Sequence, residues 1–173
     1  MLVRNAIAEW LRDHGIRHVF CVSGGASLHI IHGIADTEGI DYVCPQTEQA
    51  AGFAADGYAR LNGSGCALGT SGPGATNLIT AIGSSYYDSV PVLYLAGQVT
   101  TSRFARRYGA VRQFGFQETP IVSMVREITV FATEPMTADA VIPAFENAWH
   151  AMHAGRKGPA LISVPDDVQR AEI

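Results

Sequence analysis

Glu48 is a candidate for acid–base chemistry. Its carboxylate stands at the start of a run of almost entirely small residues, "EQAAGFAADGYAR". A carboxylate at the first turn of a helix can exchange protons with a ligand, or it can simply stabilise the helix N-terminus. Thr47 directly precedes it and can also cap the helix. The small side chains that follow, including Ala50, Ala51, Ala54 and Ala55, predict close approach by another element, such as a second subunit's helix.

Two glycine-rich segments, "SGGAS" (23–27) and "SGPGATN" (71–77), each lie between a predicted strand and a predicted helix. Such segments let backbone N–H groups approach an anion at a helix N-terminus. "SGPGATN" matches neither the P-loop nor the G-x-G-x-x-G fingerprint, because Asn77 stands where the third glycine is required. A ligand-binding loop and an ordinary tight turn therefore both remain possible.

Strands and helices alternate along all 173 residues, which predicts a single domain over 1–173. The predicted strands are 17–22, 41–44, 65–70, 90–97, 129–132 and 159–165. This alternation predicts an α/β, doubly wound, mostly parallel six-stranded sheet with helices on both faces. In such sheets ligands bind at the C-terminal strand ends. Both glycine-rich segments, Gly97 and Glu48 are therefore expected along one edge.

Composition excludes several classes of function. The net charge of −4 argues against general nucleic-acid binding, and no apolar run reaches the ~18–20 residues of a membrane span. The first 15 residues read as an amphipathic helix, not a signal peptide, so a cytoplasmic location is expected. The cysteines are expected to be buried strand residues without a disulfide or metal framework: Cys21, Cys44 and Cys66.

Other polar clusters have two interpretations each. The pairs His29/His32 and His150/His153 have metal-ligand spacing but no apparent third ligand, which favours ordinary surface histidines and no metal site. The segment Arg103–Arg112 carries four arginines and two aromatic residues. It is either a solvated loop or a site for an anionic substrate group or an acidic partner.

Six sequence blocks occur in an order that resembles the N-terminal pyrimidine-binding (PYR) domain of acetolactate-synthase-like thiamine diphosphate enzymes. The resemblance covers residues 2 to about 169. The blocks are "SGGAS", "TEQAAGFAADGYAR", "TSGPGATNLITAI", "DSVPVLYLAGQVTTS", "FQETPIV" and "GPALISVPDDVQ".

The resemblance implies a role for each matching residue. Glu48 corresponds to the catalytic glutamate that hydrogen-bonds N1′ of the cofactor's aminopyrimidine and so promotes deprotonation of thiazolium C2. The remaining residues fall into three groups on the same grounds. Gly25 and Ala26 match the loop beside the reacting centre; Pro73, Gly74 and Asn77 match the loop lining the pyrimidine; Phe116 and Gln117 match the substrate-facing pair.

The resemblance also implies what must come from elsewhere. In this family a second (PP) domain with a G-D-G…N-N motif holds the diphosphate and its Mg²⁺, and that motif is absent here, as is a middle domain. The chain is therefore expected to bind only the pyrimidine end, to be inactive alone, and to need a PP domain or PP subunit in a homodimer or hetero-oligomer formed through PYR helices.

The sequence departs from acetolactate synthases proper in two places. Thr47 stands where the family usually has His or Asn, and the segment Arg103–Arg112 lengthens the path from "GQV" to "FQE". The expected function is thus the PYR part of a 2-keto-acid decarboxylase or carboligase, a lyase or transferase. One alternative is the α subunit of a split enzyme such as sulfopyruvate or phosphonopyruvate decarboxylase. Another is a non-catalytic PYR-only binding or assembly protein.

Overall fold

A six-stranded, entirely parallel sheet forms the centre of the computed structural model, which describes residues 1–173. The strand order is β2-β1-β3-β4-β6-β5. The strands are β1 (His18–Cys21), β2 (Asp41–Val43), β3 (Gly65–Gly69), β4 (Val92–Gln98), β5 (Phe131–Thr133) and β6 (Ala160–Pro165). The predicted number of strands and their parallel direction are confirmed.

Eight α-helices precede, connect or follow the strands. They are α1 (Val3–Asp13), α2 (Leu28–Ala35), α3 (Glu48–Asn62), α4 (Pro73–Asn77), α5 (Ile79–Tyr87), α6 (Ile121–Val125), α7 (Val141–His153) and α8 (Asp166–Gln169). Short 3₁₀ turns occupy parts of the connections, including Thr101–Arg103 and Ala105–Arg107. The sequence predicted "SGPGATN" as a loop, but its last five residues form the short helix α4, with Pro73 at the first position, where proline is favoured.

The helices cover both faces of the sheet, and each face has its own buried cluster. One cluster packs α1, α2 and α7 against side chains of the central strands such as Leu68 and Leu93. The other packs α3, α5 and α6 against the opposite side chains, including Ala67 and Tyr94. β3 and β4 are buried along their whole length, as expected for parallel strands covered on both sides. This double covering confirms the doubly wound α/β prediction.

Helix α3 lies unusually close to its neighbours because small residues face them. A Cβ added at Gly52 would overlap the Ala81 side chain of α5, and one added at Gly65 would overlap the Ala55 carbonyl. Ala51 and Ala55 are fully buried inside the domain. The expectation that they share an intersubunit surface with Ala50 and Ala54 is wrong for these two residues, because they pack against the chain's own sheet and helices.

Two further observations concern exposure. Cys21 and Cys66 are buried as predicted, but Cys44 is exposed, because it follows β2 at the edge of the sheet. No helix is long and apolar enough to cross a membrane.

Candidate active site

Thr47 and Glu48 have different hydrogen-bond partners at the start of α3. The Thr47 hydroxyl accepts a hydrogen bond from the Ala50 backbone N–H (3.2 Å) and is therefore the capping group. The Glu48 side chain instead reaches Asn77 at the end of α4, whose amide Nδ2 donates to Oε2 (3.0 Å). Oε1 has no hydrogen-bond partner or cation in the protein. The carboxylate thus presents one oxygen that is free to meet a ligand.

Gly74 and Thr70 form the floor beneath that free oxygen. A Cβ built at Gly74 would lie 3.4 Å from Glu48 Oε1 and 2.6 Å from the Thr70 methyl. Real Cβ atoms do not approach a methyl group to 2.6 Å, so only glycine fits here without displacing Thr70. The consequence is that Gly74, which is buried, packs its backbone close to the carboxylate on the side of the free oxygen.

The loop carrying Gly25 and Ala26 is fixed on both sides. The Ala26 N–H donates to the Thr70 hydroxyl (3.2 Å), and the Ala26 carbonyl accepts from Gln169 Nε2 (2.7 Å). Gly97, near the end of β4, packs directly against the same carbonyl, where any Cβ would collide with it. Thr70 therefore contacts both glycine-rich segments, because a Cβ at Gly24 in the first segment and a Cβ at Gly74 in the second would each collide with it.

Gln117 lies against the other end of "SGPGATN" in an uncommon backbone conformation. Its φ is +57°, in the left-handed region that a residue with a side chain rarely adopts. A Cβ at Gly72 would lie 2.7 Å from the Gln117 Cβ, so the two segments are in direct contact. Phe116 beside it is 78% exposed. Strained and exposed residues of this kind are concentrated at functional sites.

These contacts bring the predicted residues together at the C-terminal edge of β1, β3 and β4. Asn77 bridges to Glu48, Thr70 joins the two glycine-rich segments, and Gln117 lies against Gly72. The edge is open to solvent at Gly25 and Pro73. The grouping expected from parallel-strand geometry is confirmed, whereas the role of each residue stays a prediction.

Comparison with known proteins shows which family has this arrangement. Residues 1–124 match the family model described as thiamine pyrophosphate enzyme, N-terminal TPP binding domain. The chain belongs to this family. It is 39% identical over 165 residues to acetolactate synthase, chloroplastic, from Arabidopsis thaliana, and 40% identical over 175 residues to acetolactate synthase from Arthrospira platensis. It is 36% identical over 162 residues to the acetolactate synthase large subunit of Haemophilus influenzae.

Those alignments cover nearly all of this chain but a small part of each relative. They span 95%, 97% and 93% of this chain and 24%, 28% and 27% of the respective relatives. The chain therefore spans about a quarter of the length of the acetolactate synthases that it matches, which agrees with the predicted N-terminal domain.

The residues present suit a heterocyclic ring. The Glu48 carboxylate has one free oxygen, the Asn77 amide holds the other, and Gly74 packs closely beside it. These groups fit the pyrimidine ring of thiamine diphosphate, which has a nitrogen that can hydrogen-bond.

Sequence reasoning missed two residues of this site. Thr70 was placed at the end of a strand but not assigned a role, although its position directly before "SGPGATN" was visible. Gln169 belongs to the block "GPALISVPDDVQ", but the sequence assigns it no role. Its side chain is fully buried and donates to both Ala26 and Val164, while its Oε1 has no partner. Nothing in the local sequence near residue 169 indicates this long-range contact.

The arginine-rich segment is folded into a compact loop. Glu118 accepts hydrogen bonds from the Ala105 and Phe114 backbone N–H groups, and the Tyr108 ring stacks on Phe114 at 3.9 Å. The segment borders a cavity of about 320 Å³. Arg106 is held by Glu134 (3.1 Å) and lies over the Phe104 ring; Arg112 lines the same cavity without an ion-pair partner.

Three of the four paired histidines, His29, His32 and His153, have separate partners. His29 lies 3.4 Å from Asp166, and His32 lies 3.1 Å from Asp36. Partial burial lowers the pKa of His29 more than the nearby carboxylate raises it. His153 contacts the Ser64 hydroxyl at 2.9 Å. No group of three metal-ligating side chains occurs.

Proposed function

We propose that this chain is the PYR part of a thiamine diphosphate-dependent 2-keto-acid decarboxylase or carboligase and that Glu48 is its catalytic acid–base group. The observation that supports this most strongly is the geometry of the Glu48 carboxylate. One oxygen is fixed by Asn77, and the other is free above the glycine floor. A group held in one orientation with one free oxygen is suited to hydrogen-bond a single ring nitrogen.

Each predicted site residue then has a defined role. When bound, thiamine diphosphate supplies the electron sink that allows a 2-keto acid to lose carbon dioxide. Glu48 holds or accepts a proton at the pyrimidine nitrogen N1′, and Asn77 keeps the carboxylate oriented. The glycine and proline residues of "SGPGATN" support the ring. Gly25 and Ala26 border the reacting centre, while Phe116 and Gln117 face the substrate.

The proposal requires a PP domain, in a longer polypeptide or in a separate subunit, to hold the diphosphate and Mg²⁺. The three acetolactate synthases are much longer than this chain, which supports a PP domain in the same polypeptide. Purification from the native source tests this. A single longer polypeptide supports that form, whereas a co-purifying chain with the G-D-G…N-N pattern supports a split decarboxylase.

An exposed strip of α3 is the proposed contact with another PYR domain. Phe53 is 46% exposed and Leu61 is 88% exposed, and Ala50 and Gly57 are exposed on the same helix. Burial of such apolar side chains is favourable by about 25 cal/mol per Å². Leu61→Glu should reduce self-association in analytical ultracentrifugation, and an unchanged sedimentation coefficient would exclude this surface. A cytoplasmic location stays a prediction, testable by cell fractionation.

The catalytic role of Glu48 is tested by Glu48→Gln in the assembly that contains the PP domain. The amide keeps the shape but cannot exchange a proton, so 2-keto-acid turnover should fall by at least the ~10²–10⁴-fold typical of a lost general acid–base group. Glu38→Gln, an exposed residue before β2, is the matched control. A non-catalytic PYR-only protein predicts that both variants behave like the parent.

Binding of the cofactor by the chain alone is a separate test. Calorimetric titration with thiamine and with thiamine diphosphate plus Mg²⁺ should give similarly weak affinities, because only the ring end is recognised. Much tighter binding of the diphosphate form would show that the chain holds the diphosphate and would refute the pyrimidine-only assignment.

A further inference from the structure

Two cysteines lie next to each other at the C-terminal ends of β1 and β2. The strands are parallel and their register pairs Val19 with Tyr42 and Phe20 with Val43. Continuing this register by one residue, to the position just after β2 ends, places Cys44 opposite Cys21. Because paired residues of neighbouring strands point to the same face of a sheet, the two thiols project in the same direction.

The spacing is compatible with a disulfide. Neighbouring strands lie about 4.7–4.9 Å apart, and disulfides connect Cα atoms that are about 4.4–6.8 Å apart. Both thiols are free in this structure. Burial, with a smaller contribution from the neighbouring Cys44 thiol, raises the pKa of Cys21 to about 12.

The two thiols differ in solvent exposure, so an oxidant reaches one before the other. Cys44 is exposed at the edge of the sheet, and Cys21 is fully buried behind it. Cys66, the third thiol, is also buried and pairs with Val19, so it is offset from Cys21 by two positions. An oxidant in solution therefore meets Cys44 first, and Cys21 is the nearest thiol that can respond.

We propose that Cys21 and Cys44 form a redox-sensitive modification site, in which a hydroperoxide converts the two thiols into one intramolecular disulfide. The Cys44 thiolate attacks one peroxide oxygen, the O–O bond breaks, and hydroxide leaves, which gives a sulfenic acid on Cys44. The Cys21 sulfur then attacks the Cys44 sulfur, the S–O bond breaks, and the proton of the Cys21 thiol passes to the departing hydroxyl group. Water leaves as the S–S bond forms. Peroxide is reduced and two thiols are oxidised, so atoms and electrons balance.

This site lies at the base of the proposed active site. Cys21 lies four residues before Gly25, and Cys44 lies four residues before Glu48. A covalent bond between the strand ends would connect the starting points of both segments. The disulfide is neutral, so its burial carries no charge penalty, but the raised pKa of Cys21 makes the second step slow.

The test is to oxidise the reduced chain with hydrogen peroxide, block the remaining thiols with iodoacetamide in denaturant, and map the products by mass spectrometry. Residues 18–60 contain no internal Lys or Arg, so trypsin leaves both cysteines in one peptide. A glutamate-specific protease that cleaves after Glu38 separates them. We expect a cross-linked pair of peptides that dithiothreitol releases, with the loss of two of the three free thiols.

Two variants make the result specific. Cys66→Ser should leave the Cys21–Cys44 cross-link intact, and Cys44→Ser, at an exposed position, should abolish it without unfolding the chain. The proposal is overturned if Cys21 keeps its free thiol while Cys44 accumulates as a sulfinic acid or as an intermolecular Cys44–Cys44 disulfide. Because this readout is covalent, it is independent of whether the proposed catalytic function is correct.

Discussion

The two glycines in the middle of α3 allow a direct test of why this helix carries so few side chains. Gly52 is buried, and an added Cβ would collide with the Ala81 methyl and lie 3.3 Å from the Tyr94 ring. Gly57 lies on the exposed side of the same helix, and an added Cβ would meet nothing within 4 Å. The two positions therefore differ mainly in packing.

The expected magnitudes follow from that difference. Replacing Gly by Ala inside a helix stabilises it by about 0.8–1.0 kcal/mol, so Gly57→Ala should raise the free energy of unfolding by about that amount. At Gly52 the same gain is opposed by overpacking, which costs about 1–3 kcal/mol in general and about 2–3 kcal/mol here, because the Ala81 methyl that the new Cβ would overlap is fixed by its backbone. Gly52→Ala should therefore be about 1–2 kcal/mol less stable than the parent.

Urea denaturation followed by circular dichroism measures both values. We expect the two variants to differ by about 2–3 kcal/mol, which corresponds to roughly 5–10 °C in Tm for a domain of this size. Adding Ala81→Gly to Gly52→Ala should recover part of the loss, because it removes the colliding methyl. Equal stability of the two single variants would show that α3 does not depend on close approach to α5.

Three other predictions follow from the structure. Thr70→Val keeps the methyl against Gly24 but removes the acceptor for the Ala26 N–H, so hydrogen exchange of the Ala26 amide should accelerate. Thr70→Ser keeps the hydroxyl and should retain protection of that amide. Equal exchange in both variants would refute this role of Thr70. Asp56→Ala leaves the buried Ser85 hydroxyl without its 2.7 Å acceptor, so urea denaturation should show a loss of about 1–3 kcal/mol. Burial raises the pKa of the Cys21 and Cys66 thiols, so only the unfolded chain ionises them above about pH 9. The free energy of unfolding should therefore fall by up to about 1.4 kcal/mol per pH unit for each thiol, and Cys66→Ala should reduce that slope.

Much of the site can be predicted from local sequence, because the loops that follow parallel strands all lie at the same edge of the sheet. Once "SGGAS", "SGPGATN" and Glu48 are assigned to positions after strands, the common direction of those strands brings them to one edge. The pattern of strands was sufficient for this inference, and no long-range contact had to be known. The match to the TPP-binding family then gives the class of cofactor that such domains bind.

Other features depend on contacts between residues far apart in the chain. The roles of Thr47 and Glu48 could not be separated from sequence, because both residue types stabilise helix N-termini; the bond from Asn77 separates them. Gln169 reaches Ala26 across 143 positions, and no local pattern encodes that contact.

Local sequence predicted the succession of the six strands, the parallel sheet and the edge that carries Glu48. It did so because hydrophobic periodicity and glycine placement act locally. Only the tertiary structure decided that Ala51 and Ala55 face the domain's own interior, that one oxygen of Glu48 is free, and that Cys21 faces Cys44. Each of these depends on strand register and helix packing, which are set by the shape of the whole core.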